Sequence, residues 1–174
     1  MRATRFDLSS ILCLSLLSCS SVAWPTGEAP ARTAEIALPA AEHRAGAKLS
    51  ASEQVEVVKV VDGDTIDVKL DGKTQRIRYY GVDTPERGQH CFREATDRNE
   101  HLVGTTVLLL PDARNQDRYQ RLLRYIFLAD GTSVDATLVA EGFGHAWRQD
   151  GRYKPDIIAM EDQARTANRG CLWK

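Results

Sequence analysis

The stretch of residues 59–87 constrains the fold most, because it alternates short strand-like runs with tight turns. Its second run, residues 66–70, has apolar side chains at every other position, the period of a half-buried strand. Asp71-Gly72 follows and is a strong signal for a two-residue hairpin turn. The third run ends before Asp83-Thr84-Pro85-Glu86, where proline cannot donate to a sheet. Short consecutive strands fold back on one another, so we expect carboxylates about twenty residues apart to meet at one end of a barrel.

The rest of the chain predicts two further strands and three helices. Their order favours an α+β fold, a five-stranded Greek-key β-barrel of the OB type with about three helices. Barrels of this type often bind oligonucleotides, which is an analogy of fold alone. The predicted elements are a helix over 92–103, a buried strand over 105–110 closed by Pro111, a polar surface loop over 112–120, a strand over 121–128, a short helix over 134–141, an extended link over 145–147 and a helix over 155–168.

The first residues have the layout of an export signal. Arg2 and Arg5 precede an apolar stretch, residues 8–17, that is too short to span a bilayer. Two processing sites remain open. Ser21-Val22-Ala23 fits the small-x-small pattern of ordinary cleavage, whereas Leu16-Leu17-Ser18-Cys19 looks like a lipobox, which would make Cys19 a lipidated membrane tether. In either case we expect the mature protein in the cell envelope or outside the cell.

The chain divides into three segments on composition. Residues 1–23 are the leader, residues 24–52 are an Ala- and Pro-rich linker that we expect to be disordered, and residues 53–174 are the folded domain. From residue 53 onward, 18 Lys and Arg stand against 20 Asp and Glu. A protein that holds nucleic acid mainly through its overall field is basic. Any contact between this domain and phosphates must therefore depend on a few placed arginines.

Two cysteines remain once the leader is set aside. In an oxidising compartment an even pair favours a disulfide between Cys91 and Cys171, and the alternative is two separate buried thiols. The bridge would join the C-terminal end to the segment after the Asp83 turn. Closing so long a loop contributes roughly 3–5 kcal/mol in the chain-entropy model.

Acidic residues gather at the predicted turns. Asp62 and Asp64 lie two positions apart near the end of one strand, and Asp83 and Glu86 follow a neighbouring strand. Solvated turn residues would account for this pattern. The alternative is a bound cation, because crowded carboxylates repel one another and hard oxygen ligands favour Ca²⁺.

Two arginines accompany the acidic residues. Arg78 lies between the two acidic pairs in sequence, and Arg121 opens a further predicted strand. A planar guanidinium binds phosphate oxygens bidentately. A cation, two arginines and a spare carboxylate that activates water are the parts needed for metal-assisted phosphodiester hydrolysis.

Four short motifs follow one another at the same turns. They are Val61-Asp62-Gly63-Asp64-Thr65, Arg78, Val82-Asp83-Thr84-Pro85-Glu86 and Asp117-Arg118-Tyr119-Gln120-Arg121. In this order and spacing they resemble the staphylococcal nuclease (thermonuclease) family. The resemblance covers about residues 55–173 and includes the closing Gly170-Cys171-Leu172-Trp173, which is similar to the family's terminal Leu-Trp or Ile-Trp.

The resemblance implies a metal site and a phosphate-binding arginine. Asp64 and Asp83 match the family's calcium-binding aspartates, with the carbonyl of Thr84 as a further ligand. Asp62 is a weaker candidate ligand beside them. Arg78 matches the arginine that binds phosphate and stabilises the pentacoordinate transition state.

Other matches concern the reaction and the substrate. Arg121 matches a second arginine that assists the leaving group, and Glu86 matches the glutamate that positions or deprotonates the attacking water. Tyr119 matches a tyrosine that contacts a nucleotide phosphate. Arg118 stands where lysine is common, and Tyr153 matches one of the aromatic residues that stack on the base.

The chain departs from the family pattern at two positions. Gln120 stands where the family often has glycine, which predicts a stiffer loop. Gly151 stands where the prototype has a tyrosine, which predicts weaker base stacking. Outside the motifs, Trp147 is interpreted as a packing residue and Arg114 as an ordinary surface charge.

Together these features predict an exported, monomeric, Ca²⁺-dependent nuclease without a stable protein partner. By the resemblance it would hydrolyse DNA and RNA, preferably single-stranded, and leave 3′-phosphate ends. A second interpretation is a non-catalytic OB-fold module that binds single-stranded nucleic acid or a protein partner. A third is a calcium-stabilised envelope module without a role in nucleic-acid chemistry.

Overall fold

The computed structural model describes residues 52–174. The leader, the linker before Ser52 and Cys19 lie outside the described residues. Within residues 52–174, no helix has the length and apolar character required to cross a membrane. The elements are β1 (Glu53–Asp62), β2 (Thr65–Leu70), β3 (Lys73–Tyr79), β4 (Val82–Asp83), α1 (Phe92–Val103), β5 (Thr106–Gln116), β6 (Leu122–Phe127), α2 (Val134–Ala140), β7 (His145–Ala146) and α3 (Lys154–Thr166).

Five of the strands close into a barrel in the order β1-β2-β3-β6-β5. All neighbours in the barrel are antiparallel except β3 and β6, which are parallel. The short strands β4 and β7 form a separate two-stranded sheet that pairs Asp83 with His145. The sequence-based prediction of an α+β fold with a five-stranded OB-type barrel and three helices is confirmed.

Strand β5 is longer than the sequence predicts. Pro111 does not end it, because Pro111 pairs with Arg124 of β6 and the strand continues to Gln116, which pairs with Leu122. The prediction of a loop over residues 112–120 is therefore wrong for its first five positions. Pairing between β1 and β5 ends at Leu109, so Pro111 lies where β5 has only one neighbour and a missing N–H group costs little.

The barrel core is apolar, and α1 packs against it with Val103 and with one buried polar side chain. Ile66, Val68 and Ile77 are fully buried, and burial of each contributes about 1.5–3 kcal/mol. Asn99 of α1 is also fully buried. Its Oδ1 accepts from the Tyr79 hydroxyl at 2.8 Å, and its Nδ2 donates to the Asp62 carbonyl at 2.9 Å. Both ends of the amide are thus satisfied, and α1 fixes the end of β1 beside the acidic residues.

A disulfide joins Cys91, at the start of α1, to Cys171. The two Cα atoms are 5.5 Å apart, across a sequence separation of 80 residues. His90 Nε2 also lies 2.8 Å from the Cys171 carbonyl oxygen. These contacts connect the C-terminal end to the segment that follows the Asp83 turn.

Asp135 connects α2 to two backbone segments of the barrel. Its carboxylate accepts from the Gly81 N–H at 2.7 Å and from the Ile126 N–H at 2.9 Å. The side chain is fully buried. Burial raises the pKa of Asp135 from 3.8 to about 6, although the backbone N–H groups favour the ionised form.

The raised pKa of Asp135 predicts a specific pH dependence of stability. Between pH 4 and 6 the native state binds more protons than the unfolded state, so this group lowers the free energy of unfolding as pH rises. One pKa unit corresponds to about 1.4 kcal/mol, so the loss in unfolding free energy over this pH range is on the order of 2–3 kcal/mol. We expect the difference in unfolding free energy between wild type and Asp135→Asn to shrink by that amount from pH 4 to pH 6, measured by urea denaturation.

Asp130→Asn is the matched control, because Asp130 is exposed and its carboxylate accepts from the Thr132 N–H at 2.9 Å in a surface turn. The difference in unfolding free energy between wild type and Asp130→Asn should stay nearly constant over the same pH range. Equal pH slopes for wild type and Asp135→Asn would contradict the assignment.

Candidate active site

One cavity of about 420 Å³ lies at the end of the barrel where β3, β4 and the loop after β5 meet. Both predicted catalytic arginines line it, together with one predicted metal ligand and the predicted general base. The structure therefore brings together residues from three separate motifs. The predicted site residues on its wall are Arg78, Asp83, Glu86, Arg118, Tyr119 and Arg121.

Arg78 is the most constrained side chain of this cavity. It is 8% exposed and lies at the end of β3. Its Nη1 donates to the carbonyls of Tyr79 and Val82 at 2.7 and 2.6 Å. Its Nη2 lies 2.6 Å from Asp83 Oδ1, and its Nε lies 3.1 Å from Asp64 Oδ1. All three nitrogens of the guanidinium are engaged, so its orientation is fixed before any ligand binds.

Asp64 is held by the turn that follows β4. Its Oδ2 accepts from both the N–H and the hydroxyl of Thr84, at 2.7 and 3.0 Å. Gly63 makes this contact possible, because a Cβ atom at position 63 would lie 2.7 Å from Thr84 Oγ1. The glycine is required for close approach to Thr84.

The acidic residues carry more negative charge than Arg78 neutralises. Burial raises the pKa of Asp62, and the neighbouring charge of Asp64 raises it further. Within residues 52–174, no three His, Cys, Asp or Glu side chains converge as a ready-made metal centre. The donors at hand are the carboxylates of Asp64 and Asp83 and the oxygens of Thr84. An all-oxygen set suits Ca²⁺, which accepts carboxylates, carbonyls and water together.

Glu86 differs from the other carboxylates of the cavity. Asp83 pairs with Arg78 and Asp117 pairs with Arg121, whereas no described residue forms an ion pair with the exposed Glu86 side chain. The Glu86 backbone is fixed through Gln89, whose Oε1 accepts from the Glu86 N–H at 2.8 Å. Glu86 is thus an unpaired carboxylate on a positioned turn, and it is available to accept a proton.

Asp117 organises the loop that presents Arg121. Its carboxylate accepts from the backbone N–H groups of Tyr119 and Arg121 at 2.8 and 2.9 Å, and from Arg121 Nε at 2.7 Å. Burial alone would raise the pKa of Asp117, but these hydrogen bonds outweigh it and hold the pKa below its usual value. Asp117 therefore stays ionised and keeps Arg121 in place.

The same loop explains the departure at Gln120. Gln120 has φ of +65°, the left-handed region in which glycine is unstrained. A glutamine in this conformation costs roughly 1 kcal/mol. Glutamine therefore adds backbone strain to this loop, at a position where the resemblance leads one to expect glycine.

Tyr119 is the exposed aromatic residue of the cavity. Its side chain is 64% exposed, and the guanidinium groups of Arg118 and Arg121 lie 4.7 and 5.6 Å from its ring centre. A ring flanked by two cations is suited to contact both a base and a phosphate.

Tyr153 lies apart from the cavity, in the core. It is 7% exposed and packs edge-on against Tyr125, with ring centres 4.9 Å apart. Gly151 lies beside the same ring with φ of +115°, and a Cβ atom there would be 2.3 Å from Tyr125 Oη. The structure thus leaves no room for a side chain at position 151 and places Tyr153 in packing contacts, where the sequence interpretation expected stacking on a base.

Two residues that the sequence interpretation set aside line the cavity: Arg114 and Trp147. Both are held by Asp150. Arg114 donates to the Asp150 carboxylate through Nε and Nη2, each at 3.0 Å, and Trp147 Nε1 donates to it at 2.9 Å. The Arg114 guanidinium also lies 5.7 Å from the Trp147 ring centre. Arg114 lies in a polar stretch without periodicity and its partner is 36 residues away, so the sequence carries no local signal for this contact.

The chain is similar to known proteins over most of the part that the structure describes. The family described as Staphylococcal nuclease homologue matches residues 76–174. An uncharacterized endonuclease of Escherichia coli O157:H7 is 38% identical over 120 residues, which cover 67% of this chain and 74% of that protein. A thermonuclease of Staphylococcus hyicus is 36% identical over 134 residues, which cover 71% of this chain and 78% of that protein.

A third relative, endonuclease YncB of Bacillus subtilis (strain 168), is 31% identical over 147 residues, which cover 76% of this chain and 69% of that protein. The family match extends over more than half of the chain and contains both predicted catalytic arginines. The chain therefore belongs to the Staphylococcal nuclease homologue family, and it is a nuclease, a hydrolase that acts on nucleic acid.

Proposed function

We propose that the protein is an exported, Ca²⁺-dependent nuclease that hydrolyses phosphodiester bonds of DNA and RNA and leaves 3′-phosphate ends. One observation carries the proposal. The two predicted catalytic arginines, Arg78 and Arg121, line a single cavity with Glu86, which forms no ion pair within residues 52–174, and Asp64 and Asp83 contact Arg78 beside it. This is the set of groups that phosphodiester hydrolysis requires.

The two arginines bind the phosphate and stabilise the charge that develops on it. Arg78 is already oriented by two carbonyls and two carboxylates, so little reorganisation is needed when a phosphodiester enters. Arg121, on the Asp117 loop, lines the same cavity and stabilises the oxygen that leaves. Fixed donors in a partly enclosed cavity contribute more than the same donors in water.

Glu86 orients the attacking water and accepts its proton. The carboxylate lacks a cationic partner in the described part of the chain, so it keeps its capacity to accept a proton. Its position on the turn after β4 places it on the same cavity wall as Asp83.

Ca²⁺ would be held by the carboxylates of Asp64 and Asp83 and by the carbonyl of Thr84. When bound, it supplies positive charge next to the phosphate. Asp62 lies beside Asp64, whose N–H donates to Asp62 Oδ1 at 3.1 Å, and it adds to the negative charge that attracts the ion.

Substrate contacts beyond the phosphate come from Tyr119 and Arg118, which lie at the cavity mouth. Phosphates and base faces are common to DNA and RNA, so we assign both as substrates. A strand with unstacked bases would reach Tyr119 more readily than a duplex, which favours single strands.

Export is supported by two features of the chain. The first is the leader pattern with its two processing sites, one of which would lipidate Cys19. The second is the Cys91–Cys171 disulfide, a bond that persists in oxidising compartments.

The first prediction tests the reaction and its metal together. We expect the purified protein to digest single-stranded DNA and RNA with Ca²⁺ and to leave 3′-phosphate ends, identified by mass spectrometry. A chelator should abolish cleavage. Equal cleavage in chelator would contradict the role of the metal, and tight binding without cleavage would favour a non-catalytic OB-fold module.

The second prediction concerns Arg121. Arg121→Ala should lower kcat on single-stranded DNA by roughly 10²–10³, because a charge that stabilises the transition state is lost. The matched control is Arg98→Ala, since Arg98 is about equally exposed, at 32% against 29%, and also pairs with a carboxylate, that of Glu141. Arg98 does not line the cavity, so its loss should change stability and leave kcat close to wild type. A similar kcat for Arg121→Ala and the control would refute the assigned role.

The third prediction separates a general base from a metal ligand. Glu86→Gln should lower kcat by about 10²–10⁴ while calcium affinity, measured by isothermal titration calorimetry, remains near the wild-type value. The amide has nearly the same shape as the carboxylate but cannot take a proton. A loss of calcium affinity comparable to that of Asp83→Asn would instead identify Glu86 as a ligand.

A further inference from the structure

A second cavity of about 420 Å³ adjoins the first. Asp83, Trp147 and Gln149 line both cavities, so the two cavities meet at these residues, and we refer to them together as the groove. The far part of this groove lies between β7 and α3 and is lined by Arg148 and Arg165. No step of the reaction proposed above uses this part.

In the far part of this groove, around Glu161, cationic side chains outnumber anionic ones. Arg148 and Arg165 both approach Glu161, which is 1% exposed. Arg148 Nη2 bonds Glu161 Oε2, and Arg165 Nη2 lies 3.6 Å from Oε1. Two guanidinium groups thus share one buried carboxylate, which leaves one positive charge uncompensated. The other carboxylate of this cavity, Asp83, lies at the edge shared with the first cavity, where it contacts Arg78.

The same two arginines remain accessible. Their side chains are 52% and 53% exposed, whereas Glu161 lies beneath them. The Arg165 guanidinium lies 4.8 Å from the Trp173 ring centre, and the His145 ring meets Trp173 edge-on at 5.3 Å. The buried carboxylate therefore orients both guanidinium groups, the indole also contacts that of Arg165, and about half of each side chain stays open to solvent.

We propose that this second cavity binds the nucleic-acid backbone next to the bond that is cleaved, with Arg148 and Arg165 as phosphate contacts. The inference rests on the proposed nuclease function. A strand whose scissile phosphate lies between Arg78 and Arg121 continues across Trp147 and brings the neighbouring phosphates over the second cavity. Exposed guanidinium groups with an uncompensated charge are the groups that bind such phosphates. A substrate of two nucleotides ends before this cavity, whereas a substrate of twelve fills it.

The test measures whether the change in KM caused by removing one cation depends on the length of the substrate. Arg165→Gln removes the cation with the longer contact to Glu161 and leaves the carboxylate bonded to Arg148 and to His145 Nδ1. We expect the KM for a twelve-nucleotide single-stranded DNA to rise roughly fivefold with kcat unchanged. The KM for a two-nucleotide DNA substrate should stay at the wild-type value.

Binding without cleavage gives a second readout that does not depend on the reaction. In chelator, the Kd of a fluorescein-labelled twelve-nucleotide DNA should rise by the same factor in Arg165→Gln. The slope of log Kd against log salt should fall by about 0.7, the value for one phosphate contact in a single strand. This measurement tests the second cavity even if the wild-type protein does not cleave DNA. Absence of cleavage would contradict the proposed nuclease function and not the binding role of the second cavity.

Two variants serve as controls. Arg76→Gln removes an arginine of similar exposure, 48%, that pairs with Asp67 outside both cavities, and it should leave both KM values unchanged. Arg165→Lys keeps the charge and should retain most of the wild-type affinity. If Arg165→Gln does not fold, Arg148→Gln is measured in the same way. The proposal is overturned if the folded variant binds twelve-nucleotide DNA as Arg76→Gln does, or if the two-nucleotide KM rises equally.

Discussion

The site depends on the way the barrel holds Arg78. Its guanidinium is buried at the end of β3, where two backbone carbonyls and the carboxylates of Asp64 and Asp83 engage all of its nitrogens. A buried cation is tolerated only if it is paired and hydrogen-bonded, so the turns that carry these partners must stay in place. The close approach of Gly63 to Thr84 and the Asn99 bond to the Asp62 carbonyl hold those turns. The geometry of the candidate active site is therefore a consequence of satisfying one buried charge.

Local chemistry made the central part of the fold and site predictable. Asp71-Gly72 adopts positive φ at both positions, as a tight hairpin turn requires, and the hairpin brings Arg78 next to Thr65 in register. Once three short strands are joined this way, the acidic residues at the two turns must come close to Arg78. The short motifs around Asp64, Asp83 and Arg121 then restrict the chemistry.

Residues held by long-range contacts were not predictable in the same way. Arg114 and Trp147 enter the cavity because both bind Asp150, and nothing in the neighbouring sequence indicates that contact. Tyr153 is an aromatic residue of the kind that can stack on a base, but it is buried and packs edge-on against Tyr125. A proline such as Pro111 ends a strand only where both sides of the strand are paired. Pairing between β1 and β5 ends at Leu109, and this register is set by closure of the barrel, so the sequence near Pro111 does not show it. In each case tertiary packing overrode a correct local preference.

A domain with more acidic than basic residues that acts on a polyanion must hold its cationic side chains at defined positions. Arg121 pairs with Asp117, Arg114 with Asp150 and Arg165 with Glu161, so arginines along the groove are oriented by a carboxylate that also reduces their field. Such an ion pair weakens the long-range attraction between the arginine and nucleic acid, but it fixes the position of the guanidinium. A fixed guanidinium contributes more to stabilising a transition state than to the first encounter with the substrate. Binding strength along the groove then depends on the few positions where cations outnumber carboxylates. The shared Glu161 is one such position. Glu86 marks the opposite case, because it is a carboxylate that lines the first cavity and forms no ion pair within residues 52–174.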